Sequence, residues 1–412
     1  MSTHSENSAN LSPHQRYYLL AWVNAITVLI MVATFVVTGI DVPGRDNCVT
    51  RFVDFHAIWG AARLALEMNP IAAFERQTLE QAYSACEQIN MFWLYPAPMA
   101  VLLTPVGALP FLPAYIGFQV LSLGLLALAV RRYFPKDRTA LIAIVFAPAW
   151  LPALMVGQFT ILWCVGLLAA ISAMRQDRHV LSGVLIGLLT LKPTLGLLIP
   201  VILLADRRYG TIISAIITTV ILHLGATALY GFDYFTTWIA ASGSHGASLS
   251  TSVTESASMA SIAAFATRLG ASPALGIAVN MTLLAFAAAA LFWIWRKQGA
   301  QSDAACAVLC AAIPLSTPYL WHYDAGFSAL AAMFIYRAGT QGWHALHWVL
   351  LGIVWAGPGI TLWNTYFFHL PWVYPTIVVP PVLLIGFAFA LWQVKQRPLQ
   401  PETEKVRNDV TA

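Results

Sequence analysis

Asp54, Tyr95, Gln158, Lys192 and His322 are the side chains of this sequence best suited by type and setting to do chemistry. Asp54 stands in Val53-Asp54-Phe55-His56, in a polar stretch just after the first long apolar run. A carboxylate held at a membrane edge can take the proton of an attacking hydroxyl, or it can cap the helix that follows. Lys192 interrupts Leu188-Leu189-Thr190-Leu191-Lys192-Pro193. An ammonium in such a segment needs a cavity, a partner or an anion. A phosphate suits its compact charge; snorkelling to the interface is the alternative. His322 lies in Tyr319-Leu320-Trp321-His322-Tyr323-Asp324, where it can donate to a phosphate oxygen or belong to an aromatic belt, with Asp324 orienting it or serving as a loop residue. Gln158, after Gly157, can read hydroxyls through its amide or pack helices. Tyr95, in Tyr95-Pro96-Ala97-Pro98, shapes a bend or touches substrate. His56 reads as an interfacial histidine.

These residues need a scaffold, and the composition says which kind. The chain has 412 residues, 59% hydrophobic and 10% charged, against about 25% charged in soluble domains. Apolar runs near twenty residues recur from Tyr17 to Val394, each able to cross about 30 Å of hydrocarbon. The expected fold is all-α and polytopic, since a membrane barrel would show short alternating segments. The run Tyr17–Ile40 exceeds a signal-peptide core and reads as a retained span. A net charge of +4 sits in short loops, where it sets orientation rather than binding nucleic acid.

Residues 1–16 read as a cytoplasmic tail, 17–394 as one transmembrane domain and 395–412 as a second cytoplasmic tail. Within the domain, 41–111 is an outer loop with interfacial helices, beginning with an amphipathic run from Asp54, and 231–272 is a second outer loop. Residues 241–261, rich in Ser, Ala, Gly and Thr, carry no strong helical stripe and read as a mobile lid. Cys48 and Cys86 share the first loop and can form a disulfide or remain two thiols; Cys164, Cys306 and Cys310 lie in spans and read as packing residues.

Pro96–Pro110 decides the topology. If it crosses the bilayer, Arg131, Arg132, Lys136, Arg138, Arg175 and Arg178 all fall outside. Four prolines argue against a straight span. We take the segment as interfacial or re-entrant, which makes those cations cytoplasmic. Leu181–Ala205 must then turn back near Lys192-Pro193 as two half-helices, giving about twelve membrane helices in all. Asp54, Tyr95, Gln158, Lys192 and His322 fall on the outer side. Later spans are expected at about 273–295, 304–320, 325–336, 343–361 and 376–394.

No P-loop or dinucleotide fingerprint is present, which disfavours a soluble nucleotide-sugar donor. The ordered blocks Asp54-Phe55 with Ala61–Pro70, Phe92–Pro98 with Leu102-Leu103-Thr104-Pro105, Gly157-Gln158, and Gly187 to Lys192-Pro193 resemble the polyprenyl-phosphate-sugar-dependent glycosyltransferases of family 87. The resemblance implies a GT-C fold and inverting transfer of a sugar, expected to be mannose, from a polyprenyl-phosphate donor to a lipid or glycan acceptor. It implies chemistry on the outer face of a bacterial inner membrane. Asp54 would be the base, with Lys192 and His322 holding the donor phosphate and Tyr95 and Gln158 as weaker substrate contacts. The family's usual Tyr-Pro-Pro reads Tyr95-Pro96-Ala97-Pro98 here, so nothing about substrate shape carries over at that point. No cofactor is implied, and no ligand set argues for a metal, although a divalent ion stays open. The competing reading is a transporter or flippase of polyprenyl lipids or glycolipids, which broken helices and a mid-membrane lysine would also serve. A structural envelope subunit is the third.

Overall fold

The computed structural model describes residues 12–40, 53–83, 91–364 and 370–396. Cys48, Cys86 and the aromatic run Tyr366–His369 lie outside them. The helices are α1 (Pro13–Ile40), α2 (Val53–Leu66), α3 (Arg76–Tyr83), α4 (Ala97–Gly107), α5 (Phe111–Arg131), α6 (Arg138–Val145), α7 (Leu151–Val156), α8 (Thr160–Arg175), α9 (His179–Leu189) and α10 (Ile199–Ala205). They continue with α11 (Tyr209–Tyr230), α12 (Asp233–Ala247), α13 (Leu249–Glu255), α14 (Ile262–Arg268), α15 (Pro273–Gln298), α16 (Asp303–Ala312), α17 (Phe327–Ala338), α18 (Ala345–Trp363) and α19 (Pro375–Gln396). Among the described residues, six segments are long and apolar enough to cross a membrane: His14–Val37, Phe111–Arg131, Arg138–Val156, Tyr209–Tyr230, Pro273–Gln301 and Pro375–Gln396. The protein is an all-α polytopic membrane protein.

Residue type explains where helices break. Arg138–Val156 is interrupted by a 3-10 turn at Pro148–Trp150, because proline removes an amide donor and crowds the preceding turn. At its start the Asp137 side chain accepts from the Ala140 amide at 2.9 Å, an N-cap. Pro193 likewise opens a 3-10 turn between α9 and α10. α4 has 11 residues, about 16 Å at 1.5 Å per residue, or half the hydrocarbon thickness. α9 packs face to face with α11: a Cβ on Gly183 would come within 2.4 Å of Ser214 Cβ. Ser182 Oγ and Thr211 Oγ1, 2.9 Å apart, join the same helices. Small residues and hydroxyl contacts are how helices adhere where lipid removes the hydrophobic drive.

The bundle has two polar ends. At one end Arg175 and Arg337 both grip Asp303, at 2.8 and 3.1 Å, and Arg337 also donates to the Tyr133 carbonyl. That end gathers the close of α5, α8 and α17 and the start of α6, α9 and α16. It therefore holds Arg131, Arg132, Lys136, Arg138 and Arg178 as well. α1 begins at the same end: Ala21 and Ala25 pack on Ile142 and Phe146, and Asn24 Nδ2 donates to the Phe146 carbonyl at 2.9 Å. α19 finishes there, with Gln393 Nε2 donating to the Gly339 carbonyl. The other end carries α2, the α7–α8 junction, the Lys192 break and the turn His322–Gly326.

Three expectations need correction. The 241–261 stretch is largely helical, in α12 and α13, and its last residues are tied down: Ala260 N donates to the Leu320 carbonyl and His322 N to the Ser258 carbonyl. Side chains of 241–250 are exposed or half-buried, with no buried stripe, so the pattern that marks a helix is diluted. His56 is not exposed at the surface. It is 3% exposed and stacked on Phe111, ring centroids 4.3 Å apart. The span expected at 304–320 ends as a helix at Ala312, where Pro314 imposes a 3-10 turn.

Candidate active site

Asp54 is placed by the way α2 begins. The helix starts at Val53, so Asp54 lies inside the first turn rather than in the capping position. A carboxylate there is favoured by the positive end of the helix. Phe55, Ile58 and Ala62 are fully buried on the inner side of α2, whereas Leu66 is exposed. Phe55 sits edge-on to Phe111 and Tyr115. This anchors the turn and aims Asp54, itself half-buried, at the α7–α8 junction.

That junction is built on a glycine. Gly157 has φ +80, and a Cβ there would come within 2.5 Å of Phe55 Cβ. Only glycine tolerates both the left-handed backbone and the close approach, and the approach brings Gln158 against Asp54. Tyr95 Oη donates to Gln158 Oε1 at 3.1 Å, and the Phe159 amide donates to the same oxygen at 3.3 Å. With its carbonyl taken twice, the Gln158 amide has its NH2 left to act on the Asp54 carboxylate, whose charged form it favours. Burial raises the Asp54 pKa to about 7; the Gln158 bond and Lys192 oppose that rise and the Asp324 charge adds to it. The Tyr95 phenol is pushed up by burial, then by Asp324 and Asp54, so it stays a donor.

The helix break positions the cation. Lys192, 8% exposed, ends the turn after α9, and its Nζ lies 2.6 Å from Asp324 Oδ1. Thr160 Oγ1 donates to that same oxygen at 2.6 Å. Thr160 opens α8, so the helix's positive end also faces the Asp324 carboxylate. The Lys192 ammonium stands 4.9 Å above the Tyr323 ring, a cation–π contact.

Four of the sequence-expected residues, Asp54, Tyr95, Gln158 and Lys192, thus form one polar cluster. His322 is beside it in the chain, but no hydrogen bond or ion pair joins its ring to the cluster; the ring centroid lies 5.5 Å from that of Tyr323. The ring is 6% exposed and neither nitrogen makes a well-formed hydrogen bond, the Ser258 backbone being the polar group that acts on it. Burial lowers its pKa to about 4, so it is neutral near pH 7. Sequence reasoning missed Thr160 and Tyr323, and it weighed Asp324 only as a partner for His322. A signal for Asp324 existed. Asp303 and Asp324 are the sole acids between 256 and 396, and the topology puts Asp303 at the far end.

An ionisable carboxylate, an amide and a cation are thus grouped at one end of the bundle, a set of groups able to take a proton and hold an anion. The profile of glycosyltransferase family 87 matches residues 93–318, more than half of the chain. The chain belongs to glycosyltransferase family 87, and it is a membrane glycosyltransferase. The matched region holds Tyr95, Gln158 and Lys192; Asp54 and His322 flank it. No curated protein and no solved structure matches the chain.

Proposed function

We propose that this protein transfers a sugar, mannose in the leading case, from a polyprenyl-phosphate donor to a hydroxyl of a lipid or glycan acceptor, with inversion. The observation that carries the reading is the pairing of a half-buried Asp54, held by Gln158, with a buried Lys192 in the same cluster. The acceptor O–H gives its proton to Asp54 as its oxygen attacks the anomeric carbon. The bond from that carbon to the phosphate oxygen breaks, and polyprenyl phosphate leaves with the electron pair. No acid is needed for such a leaving group. Lys192 meets the growing negative charge, which a fixed cation stabilises more in the transition state than before it. Asp324 and Thr160 hold the ammonium in place, and two of its three N–H bonds remain for the phosphate. His322, neutral, donates one hydrogen bond to that phosphate once its ring turns toward it. The excess of Arg and Lys at the opposite end supports an outward-facing site in a bacterial inner membrane.

The test is transfer by the purified, reconstituted protein from a panel of polyprenyl-phosphate sugars to envelope lipid extract. A radiolabelled glycolipid that forms with wild type and is missing with Asp54→Asn supports the reading. Undiminished transfer by Asp54→Asn removes Asp54 as the base.

A further inference from the structure

Residues 93–95 are held by the first helix of the second outer loop, and the hold continues to Asp54. Tyr234 and Trp238 lie one turn apart on the same face of α12. Tyr234 is fully buried; its hydroxyl accepts Trp93 Nε1–H at 2.7 Å and donates to the Tyr95 carbonyl at 3.2 Å. Trp238 Nε1 donates to the Leu94 carbonyl at 2.9 Å. Three successive residues are thereby fixed by two side chains of a helix distant in sequence. Phe74 packs edge-on to the Tyr234 ring at 5.0 Å, and the Tyr230 ring stacks beside it at 6.2 Å. The hydroxyl therefore has one position.

The held segment presents the Tyr95 phenol to Gln158 Oε1. That bond and the longer one from the Phe159 amide set which way the Gln158 amide faces. An amide can present oxygen or nitrogen to a carboxylate, and only the nitrogen side stabilises it. If Tyr95 drifts, only the Phe159 amide at 3.3 Å holds the oxygen, and Gln158 turns it more readily toward Asp54.

We propose that Tyr234 and Trp238 are positioning residues for the catalytic base, acting through the backbone of 94–95, the Tyr95 phenol and the Gln158 amide. This rests on Asp54 being the base. α12 then belongs to the catalytic apparatus. The charged and titratable groups facing Asp54 are Lys192, Asp324, Tyr95 and Tyr323. Tyr234→Phe changes none of them chemically and moves only Tyr95, so a changed pH response reports the Tyr95–Gln158 link.

The experiment measures kcat, donor KM and the pH–rate profile of the full chain in proteoliposomes. Tyr234→Phe keeps the ring and removes both hydrogen bonds. Its kcat should fall about tenfold and its acid limb should move up by about half a pH unit, with donor KM within about twofold. Tyr95→Phe should do the same, and Tyr234→Phe/Tyr95→Phe should be no worse than either alone, because both act through one bond. Trp238→Phe, which cuts the Leu94 contact, should shift the limb in the same direction and serves if Tyr234→Phe does not fold. An unmoved acid limb in the Tyr234 and Trp238 variants, or additive losses in the double variant, overturns the inference while an inactive Asp54→Asn leaves the base assignment standing. Transfer by Asp54→Asn overturns both.

Discussion

Lys192 Nζ and Thr160 Oγ1 both lie 2.6 Å from one oxygen of Asp324, so the ammonium inside the bundle is neutralised by a carboxylate from a different helix junction. The arrangement explains how a lysine can occupy an apolar break, and what its loss would do. Removing one partner of a buried pair costs about 3–5 kcal/mol, whereas replacing both by apolar groups can be neutral. Lys192→Met and Asp324→Asn should each lower the unfolding temperature in detergent. Lys192→Met/Asp324→Leu should regain most of that loss yet make no product. A double variant that transfers sugar would show that Lys192 is purely structural.

Asp54→Asn keeps shape and removes the proposed base. Transfer should drop by about 10²–10⁴-fold, with donor binding within about twofold of wild type. Separate readouts of initial rate and donor-lipid binding distinguish lost catalysis from lost docking.

The rate should depend on pH through Asp54. Burial, the largest effect, disfavours its charged form and raises the pKa to about 7. A base works when deprotonated, so kcat should rise tenfold per unit below that value and level off above it. A profile whose acid limb falls near 4, where an ordinary aspartate titrates, would contradict the buried setting.

Gly157→Ala should injure the protein in two ways. The residue would be forced to φ +80 and its methyl driven to within 2.5 Å of Phe55 Cβ. We expect at least about 2 kcal/mol of destabilisation, from left-handed backbone plus overpacking, and loss of transfer as Gln158 leaves Asp54. Gly117→Ala is the control: it lies inside α5 with nothing within 4 Å of the added carbon. It should be neutral or slightly stabilising.

Orientation is open to a labelling test. With Cys48 and Cys86 replaced by Ser, a cysteine at Phe92, which is 53% exposed at the Asp54 end, should react with an impermeant maleimide added to whole cells. A cysteine at Lys136 should react only after permeabilisation. The reverse pattern would put the site on the cytoplasmic face.

The sequence was most legible where physics acts locally. The expense of Lys192 in an apolar run and the stiffness of Pro193 together announced the break between α9 and α10. Four prolines likewise argued against a straight span over Pro96–Pro110, and α4 there has only 11 residues. Partnership was harder to see, because it is a property of the folded bundle. Nothing near Thr160 advertises that its hydroxyl meets a residue 164 positions later. His56 shows the opposite failure: a polar ring beside an aspartate reads as surface, yet Phe111 supplies a flat apolar neighbour that buries it. α12 was hidden by its Ser, Gly and Thr content, and its hold on residues 93–95 comes from Tyr234 and Trp238.

The separation of Lys192 from Asp324 also bears on biogenesis. The two are 132 residues apart, and synthesis at about 5–20 residues per second leaves roughly 7–26 seconds between them. Through that interval the nascent chain holds an unpaired ammonium at a helix break. The insertion machinery must shelter it, or let it stay at the water boundary until the final third of the polypeptide arrives. A stalled or truncated chain ending before Asp324 would expose that lysine, offering quality-control proteases a mark of incomplete assembly.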